Sequence, residues 1–355
     1  MRKYTCKTCD AELYWDSQSN CLKCEYCDST FNPREFNDSF DPNEDGKAEK
    51  VANGETANDD SYDVNLVKYK CNECGAEIIT AEGTIATTCV YCGRAISMTS
   101  KMVGLFKPDL VIPFALTKEQ AKNRFLAYCK RSKLVPKEFS NPENLKKIKG
   151  IYAPYWLHSF TADADAEIDC ENVETKRYGD DKVILHHQYL VSIEAEGYFE
   201  KVPTDALKHL DNKLMDAIEP FNYEHLKKFH SGYMAGFYAE EFDETASQTL
   251  DRVKERSKQV MGQKMLGEAG TYKHKTLRRY NDIYQDYQTY YAMLPVWLIH
   301  VDYKGTEYIF AINGDTGKVT GKLPISNKKF GLALGSVLLG TQLIAFLFRL
   351  LEVLL

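Results

Sequence analysis

A repeated pattern of paired cysteines constrains this chain more than any other feature. YTCKTCDAEL at 4–13 aligns with YKCNECGAEI at 69–78, and CEYCDSTF at 24–31 aligns with CVYCGRAI at 89–96. One offset of 65 residues relates both alignments, so each unit has the spacing C-x2-C-x14-C-x2-C. The repeat therefore predicts two small units of the same local fold near the start of the chain.

Each unit offers four thiolates in two CxxC pairs, which suits a tetrahedral zinc ion. We predict two zinc ribbons, over residues 1–36 and 66–104, each holding one structural ion. The predicted ligands are Cys6, Cys9, Cys24 and Cys27 in the first ribbon and Cys71, Cys74, Cys89 and Cys92 in the second. A unit of about 30 residues has a very small core, so the metal is expected to supply most of its folding energy.

Other uses of these thiolates are weighed against structural zinc. A catalytic zinc keeps one coordination position open, and four thiolates close it. A rubredoxin-like iron would use the same ligands, but the sequence contains no flavin or nicotinamide motif beside them. We therefore expect the metal to be structural.

The stretch CLKCEYC at 21–27 contains a third cysteine, which creates two overlapping CxxC pairs. The 65-residue offset maps Cys24 and Cys27 onto cysteines of the second unit, but it maps Cys21 onto Ala86. The repeat therefore predicts that Cys21 is a bystander thiol close to the metal.

Residues 37–65 separate the two units and hold nine acidic residues against two lysines. Such a segment has too few apolar residues to offset the entropy of ordering, so it is interpreted as a disordered acidic linker. The chain starts MRKYTCKTCD, without an apolar signal segment. CxxC pairs in such a chain indicate metal ligands in a reducing cytosol rather than disulfides.

Residues 105–323 are predicted to form a mixed α+β domain. LVIPF at 110–114 is typical of a buried strand, and Thr117 and Gln120 have the spacing of a capping box before a helix. Strand-like alternation follows at 150–170 and 186–199. The domain has no GxxxxGK[ST], GxSxG or HExxH motif, so we expect no enzyme activity.

Residues 330–348, near the end of the sequence, are 19 uncharged residues that predict one transmembrane helix. At about 1.5 Å per residue this segment reaches roughly 28 Å, close to the thickness of a bilayer core. Lysines precede it, so the positive-inside rule places the N-terminus and the bulk of the chain in the cytoplasm. Four small residues have spacings that permit close helix pairing: Gly331, Gly335, Ser336 and Gly340.

The layout resembles the TFIIB-type zinc-ribbon membrane proteins of Gram-positive bacteria, which are often labelled as primosomal-helicase-like. The paired YxCxxCxAE…CxYC ribbons carry the resemblance, together with VIPFALTKEQA at 111–121, KGIYAPYWLH at 149–158, GYMAGFYAEEFD at 232–243 and LPVWLIHV at 294–301. The resemblance implies a membrane-bound adaptor associated with SPFH-domain and phage-shock proteins of envelope-stress operons.

We therefore expect a non-enzymatic scaffold whose two ribbons, on a flexible tether, present protein-binding surfaces. The alternative is a nucleic-acid-binding regulatory or replication-associated protein. Zinc with four thiolates is formally negative and the linker is acidic, whereas nucleic-acid sites normally need a basic stripe. A third hypothesis is an enzyme with a polar pocket near Trp156 and Trp297.

Overall fold

The structure is a computed structural model. It describes residues 4–36, 66–71, 75–81, 89–90, 97–101, 108–139, 141, 148–179, 181–208 and 210–354. The acidic segment predicted over 37–65 lies outside the described residues. The described part contains both helices and sheets, which confirms the α+β class at this level.

Strands outnumber helices in the described part. The strands are β1 (Leu13–Asp16), β2 (Cys21–Cys24), β3 (Thr30–Phe31), β4 (Leu66–Lys70), β5 (Glu77–Ala81), β6 (Ser97–Lys101), β7 (Leu110–Val111), β8 (Ile148–Tyr178), β9 (Asp181–Asp205), β10 (Lys227–Lys228), β11 (Tyr238–Glu240), β12 (His274–Tyr303), β13 (Thr306–Asn313) and β14 (Val319–Gly321). The helices are α1 (Lys118–Arg131), α2 (Asn212–Ala217), α3 (Ala246–Glu268) and α4 (Asn327–Leu354).

Three very long antiparallel strands form the centre of the molecule. Strand β8 lies in the middle and pairs with β12 along one side and with β9 along most of the other. Its 31 residues correspond to a contour length of about 100 Å. The remaining sheet strands join the end of β8 and β12 that lies near residues 148–158 and 291–303.

Two irregularities divide this sheet into a core end and an arm. The pairing of β8 with β9 shifts between His158 and Phe160, and the pairing of β12 with β8 shifts between Gln285 and Gln288. Both shifts lie at the same level of the sheet. Because bulges bend and twist strands, they mark where the arm begins: residues 160–178 of β8, 181–199 of β9 and 274–285 of β12.

The burial pattern changes at the same place. Residues 150–160 of β8 are buried on both faces, whereas 161–171 alternate between buried and partly exposed positions. On the buried face of the arm, Ala164, Ala166 and Ile168 pack against Met261 and Met265 of α3. Small alanine side chains let the helix approach the strand closely. The opposite face of the arm is open to solvent.

The core end is built from aromatic packing around β12 and β13. Phe114 stacks on Phe237 with ring centroids 4.1 Å apart, and Trp297 contacts both rings. The predicted capping box is confirmed: Gln120 N donates to Thr117 Oγ1, and Thr117 N donates to Gln120 Oε1. Helix α1 therefore begins where its sequence predicts.

Helix α4 contains one candidate membrane span, Asn327–Phe346, with mean hydropathy 1.5 and none of its apolar window buried. Only its base contacts the rest of the molecule among the described residues. Ser326 N donates to Leu134 O at 2.9 Å, and Lys329 Nζ donates to Val135 O at 2.6 Å. The apolar surface beyond this base is therefore exposed along the candidate span, up to Phe346.

Candidate metal centre

The first cysteine pair of the N-terminal unit, Cys6 and Cys9, lies in a tight turn with both sulfurs directed toward the second pair. Asp10 N donates to Cys6 O at 2.9 Å, and Cys6 N donates to Ala11 O at 2.7 Å. Asp10 has φ +60°, the left-handed conformation that closes such a turn and that Asp tolerates better than most residues. Thr8 N also donates to Cys6 Sγ at 3.4 Å.

The second pair repeats this geometry. Asp28 N donates to Cys24 O at 3.0 Å, Cys24 N donates to Ser29 O at 3.0 Å, and Asp28 has φ +56°. The three-stranded sheet β1-β2-β3 holds the two turns against each other. Local hydrogen bonds thus shape both turns that carry the four thiols.

The four sulfurs of this unit converge. Cys6 Sγ lies 3.5 Å from Cys27 Sγ, and Cys9 Sγ lies 3.5 Å from both Cys24 Sγ and Cys27 Sγ. All four ligand atoms lie within 4.8 Å of one another, so the cluster could hold a metal ion. A tetrahedral zinc with bonds of about 2.3 Å to each sulfur would separate the sulfurs by about 3.8 Å, which this cluster nearly matches.

Cys21 does not belong to the cluster. It lies on β2 three positions before Cys24, and successive strand residues point to opposite faces. Cys24 is therefore buried toward the other thiols, whereas Cys21 is half-exposed and its Sγ lies 2.8 Å from Ser19 Oγ.

The electrostatics of the cluster favour at least one thiolate before any metal binds. Cys27 Sγ lies 3.1 Å from Ser29 Oγ, and hydrogen bonding to Ser29 lowers the pKa of Cys27 to about 6. A thiolate is the form that coordinates a metal. Ser29 thus supports the ligand set without being one of its members.

The second unit repeats the first where the structure describes it. Gly75 N donates to Cys71 O at 2.9 Å, Cys71 N donates to Ala76 O at 2.9 Å, and Gly75 has φ +77°. The strand pairing Lys70–Glu77 also corresponds to Thr5–Glu12 of the first unit at the same offset. Cys71 and Cys89 are both buried. Cys74 and Cys92 lie outside the described residues.

The first unit is not suspended on a tether but packs against the central domain. Trp15 N donates to Ala235 O at 3.1 Å, and the Trp15 ring meets Tyr233 edge-on at 4.8 Å between centroids. Gly236, with φ +79°, lies so close to Tyr14 that an added Cβ would be 2.5 Å from the Tyr14 Cβ. The unit and the domain share one hydrophobic core.

The second unit is joined to the main sheet. Strand β5 pairs with β11, and β11 in turn pairs in parallel with β8. His300, buried on β12, lies with its Nε2 2.8 Å from Val90 O beside the second cysteine pair. Both units therefore dock on the segment 231–240, and equivalent strands, β1 and β5, make the contact.

A group of buried and partly buried ionisable residues in the central domain was not predicted from the sequence. Arg252 Nη1 donates to Asp205 Oδ1 at 3.1 Å, and Arg256 forms an ion pair with Glu219. Burial raises the pKa of Asp205 to about 6 and that of Glu219 to about 7. Among the described residues, Asp205 Oδ2 and the Tyr155 hydroxyl have no hydrogen-bond partner.

These polar residues tie α3 to the end of β9. No motif in the sequence could have indicated them, because Asp205 and Arg252 lie far apart in the chain and meet only through the fold. Trp156 and Trp297 donate their indole N–H groups to Glu244 O and Leu116 O, which fixes both rings in the core.

The chain is 30% identical to the uncharacterized protein YdjG of Bacillus subtilis strain 168, and the aligned part covers 78% of this chain and 96% of that relative. The chain belongs to the YdjG family. No family model and no solved structure matches it. Because that relative is itself uncharacterized, a function for this member of the YdjG family has to be argued from its own residues.

Proposed function

We propose that this protein is a non-enzymatic adaptor, anchored in the cytoplasmic membrane by α4, which uses two zinc-stabilised units to organise partner proteins at the cytoplasmic face. The observation that carries the proposal is α4 itself. It presents a long apolar surface that none of the described residues covers.

The exposed apolar surface of α4 is suited to the hydrocarbon core of a bilayer. Leu332, Val337 and Leu339 are each more than three-fifths exposed, and exposing such side chains to water costs roughly 25 cal/mol per Å². The helix hydroxyls are satisfied internally, as lipid requires: Ser336 donates to Ala333 O and Thr341 donates to Leu338 O. Lys328 and Lys329 at the base favour a cytoplasmic N-terminal side.

Zinc is the metal we propose for the four-cysteine cluster. Four thiolates at these separations suit tetrahedral zinc, and they leave no open position for a substrate. The matching first turn of the second unit and the burial of its Cys71 and Cys89 support a second zinc ion there. Both ions would stabilise folded units rather than perform chemistry.

Partner binding is proposed from the surface of these units and from the resemblance. Tyr26, between two cysteines of the cluster, is 83% exposed, and such a rigidly mounted aromatic side chain is typical of protein-binding surfaces. The resemblance implies SPFH-domain and phage-shock proteins as partners. Pairing of α4 through Gly331 and Gly335 remains a prediction.

The proposal is tested with the full chain and a variant that lacks residues 324–355, both expressed in bacteria and fractionated. We expect the full chain to sediment with membranes and the truncated chain to remain soluble. Cys24→Ser serves as the matched control, because it should impair metal binding and leave membrane association intact. Sedimentation of the truncated chain with membranes would refute the anchor.

A second experiment tests partner binding. The membrane-embedded protein is purified, and the proteins that co-purify with it are identified. Enrichment of SPFH-domain or phage-shock proteins, lost on mutation of Tyr26 to Ala, would support the adaptor. Salt-dependent retention of DNA or RNA by the full chain, without protein partners, would instead support the nucleic-acid alternative.

A further inference from the structure

The arm has two open edges, and they differ sharply in composition. Among the described residues, the arm portion of β9 pairs only with β8, and the arm portion of β12 also pairs only with β8. Each edge therefore presents unpaired backbone N–H and C=O groups along about ten residues or more. Open edges invite pairing with another strand, and soluble proteins usually protect them.

The β12 edge is protected in the ways expected of a free edge. It carries bulges at Leu277/Arg279 and Gln285/Gln288, and Asp286 adopts φ +55°. Charged side chains are also distributed along it: Lys275, Arg278, Arg279, Asp282 and Asp286. Bulges and charges both disfavour the addition of a further strand.

The β9 edge has none of this protection between Val183 and Ile193. The sequence VILHHQYLVSI contains no acidic residue, lysine or arginine, and its pairing with β8 is regular throughout. Ile184 is 50% exposed and Leu190 is 55% exposed on the open face of the sheet. Its two histidines, His186 and His187, lie beside Glu171 and Glu174 of the neighbouring strand β8. A regular edge of this length without lysine, arginine or acidic residues is the kind that pairs with another chain.

We propose that this edge, Val183–Ile193, pairs antiparallel with the same segment of a second copy of the chain, about a two-fold axis at Gln188. The result would be a continuous six-stranded sheet made of two arms. An isologous contact of this kind is the commonest way in which identical chains associate.

Charge complementarity selects both the second copy and the register. The uncharged run is flanked by Lys182 at one end and Glu194 at the other. With the axis at Gln188, Lys182 of each copy lies directly opposite Glu194 of the other, on the same face of the sheet. The register thus forms two opposite-charge pairs, and directly opposed strand residues interact.

Within a single chain, the same two residues face like charges. Lys182 lies directly opposite Arg177 on β8, and Glu194 lies directly opposite Asp165. Like charges opposite each other destabilise a sheet. Neither Lys182 nor Glu194 forms an ion pair with another described residue. In the proposed dimer, the second copy would place an opposite charge beside each of them.

The apolar side of the edge is also self-complementary. On the α3 side of the sheet, the proposed register brings Val183 opposite Ile193 and Leu185 opposite Val191, while Gln188 meets its own copy on the open side. Val191 and Ile193 already pack partly against α3, so pairing would bury the remainder of both side chains. Dimer formation would therefore increase the burial of apolar side chains that are only partly buried in the single chain.

The test uses charge exchange in the full chain, purified in detergent. Lys182→Glu places two acids opposite each other in the proposed dimer, and Glu194→Lys places two lysines opposite each other. Each single variant should therefore weaken association roughly tenfold or more. The double variant Lys182→Glu/Glu194→Lys restores opposite pairs and should recover association.

Photo-cross-linking makes the readout specific to the β9 edge rather than to α4. Benzoylphenylalanine at position 188 should yield a cross-linked dimer whose joined peptides both come from residues 182–194. The yield should fall in both single variants and recover in the double variant. The same probe at Ile283, which is also exposed but lies on the protected edge, should yield no such product.

Three results would overturn the proposal. They are the absence of a dimer product from position 188, equal yields in the parent chain and all three charge variants, and cross-links from position 188 to another segment of its own chain. Metal content and circular dichroism of each variant confirm that the chain is folded, so a loss of cross-linking cannot be attributed to unfolding.

Discussion

At the scale of single residues, the choice between two overlapping cysteine pairs is decided by strand geometry. The repeat in the sequence predicts Cys24 and Cys27 as ligands and excludes Cys21. The structure reaches the same division for an independent reason, because β2 orients Cys21 and Cys24 toward opposite faces. Two thiols only three residues apart can therefore have entirely different chemistry.

Replacing Cys24 with Ser should remove about one metal ion per chain, because three thiolates and a hydroxyl hold zinc much more weakly than four thiolates. Replacing Cys21 with Ser should leave the metal content unchanged. The measurement is elemental analysis of the purified full-length variants by mass spectrometry. Equal loss of metal from both variants would show that Cys21 is also a ligand.

Ser29 illustrates what sequence reasoning does not find at this scale. The cysteine cluster was predictable because its spacing repeats, whereas the hydrogen bond that lowers the pKa of Cys27 depends on the path of the turn. The same holds for Asp205, whose contact with Arg252 spans 47 positions of the chain. Periodicity and spacing carry no information about such contacts.

At the scale of elements, the cysteine units act as parts of the core. Segment 231–240 contacts both units. Trp15 of β1 in the first unit donates a backbone hydrogen bond to Ala235, and β5 of the second unit pairs with β11. A glycine is needed between these contacts, because Gly236 has a positive φ and lies directly against Tyr14. The contacts of Ala235 and Gly236 therefore fix the position of the N-terminal unit against the domain.

Substituting Gly236 with Ala should lower the free energy of unfolding by about 2 kcal/mol, from left-handed backbone strain and the clash with Tyr14. Gly267→Ala is the matched control. Gly267 lies within α3 with open space around it, so alanine there should raise stability by up to about 1 kcal/mol. Denaturant titration followed by tryptophan fluorescence measures both, and equal effects would contradict the docking role of Gly236.

Elements with strong local signals were predictable, and those made by long-range pairing were not. The start of α1 follows from Thr117 and Gln120, and α4 follows from its uncharged run. The alternation at 150–170 predicted a strand there. Its extension to 31 residues, and the insertion of β11 between β8 and β5, depend on pairing partners distant in the chain.

At the scale of the whole molecule, the arrangement connects metal binding to the central sheet. The first unit shares a core with the domain, and the second continues the main sheet through β11. If zinc provides most of the folding energy of each unit, its removal should also release the surfaces that these units cover on the domain. The arm, by contrast, packs against α3.

We therefore expect removal of the proposed zinc by a chelator to loosen one region of the domain selectively. Amide hydrogens of residues 235–240 should exchange faster with solvent, since β11 loses its neighbour β5 and Ala235 loses its contact with Trp15. Amide hydrogens of residues 162–168, which pair with β9 and β12 within the arm, should exchange at an unchanged rate.

Hydrogen exchange with mass spectrometry on the full chain in detergent measures both regions in one experiment, with zinc restored as the control for reversibility. Equal acceleration in both regions would mean that the chain unfolds as one unit, and no acceleration at 235–240 would mean that the docked units hold their positions without metal. Selective acceleration would show that the bound metal sets the position of segment 235–240, although the cysteine cluster lies in a different part of the chain.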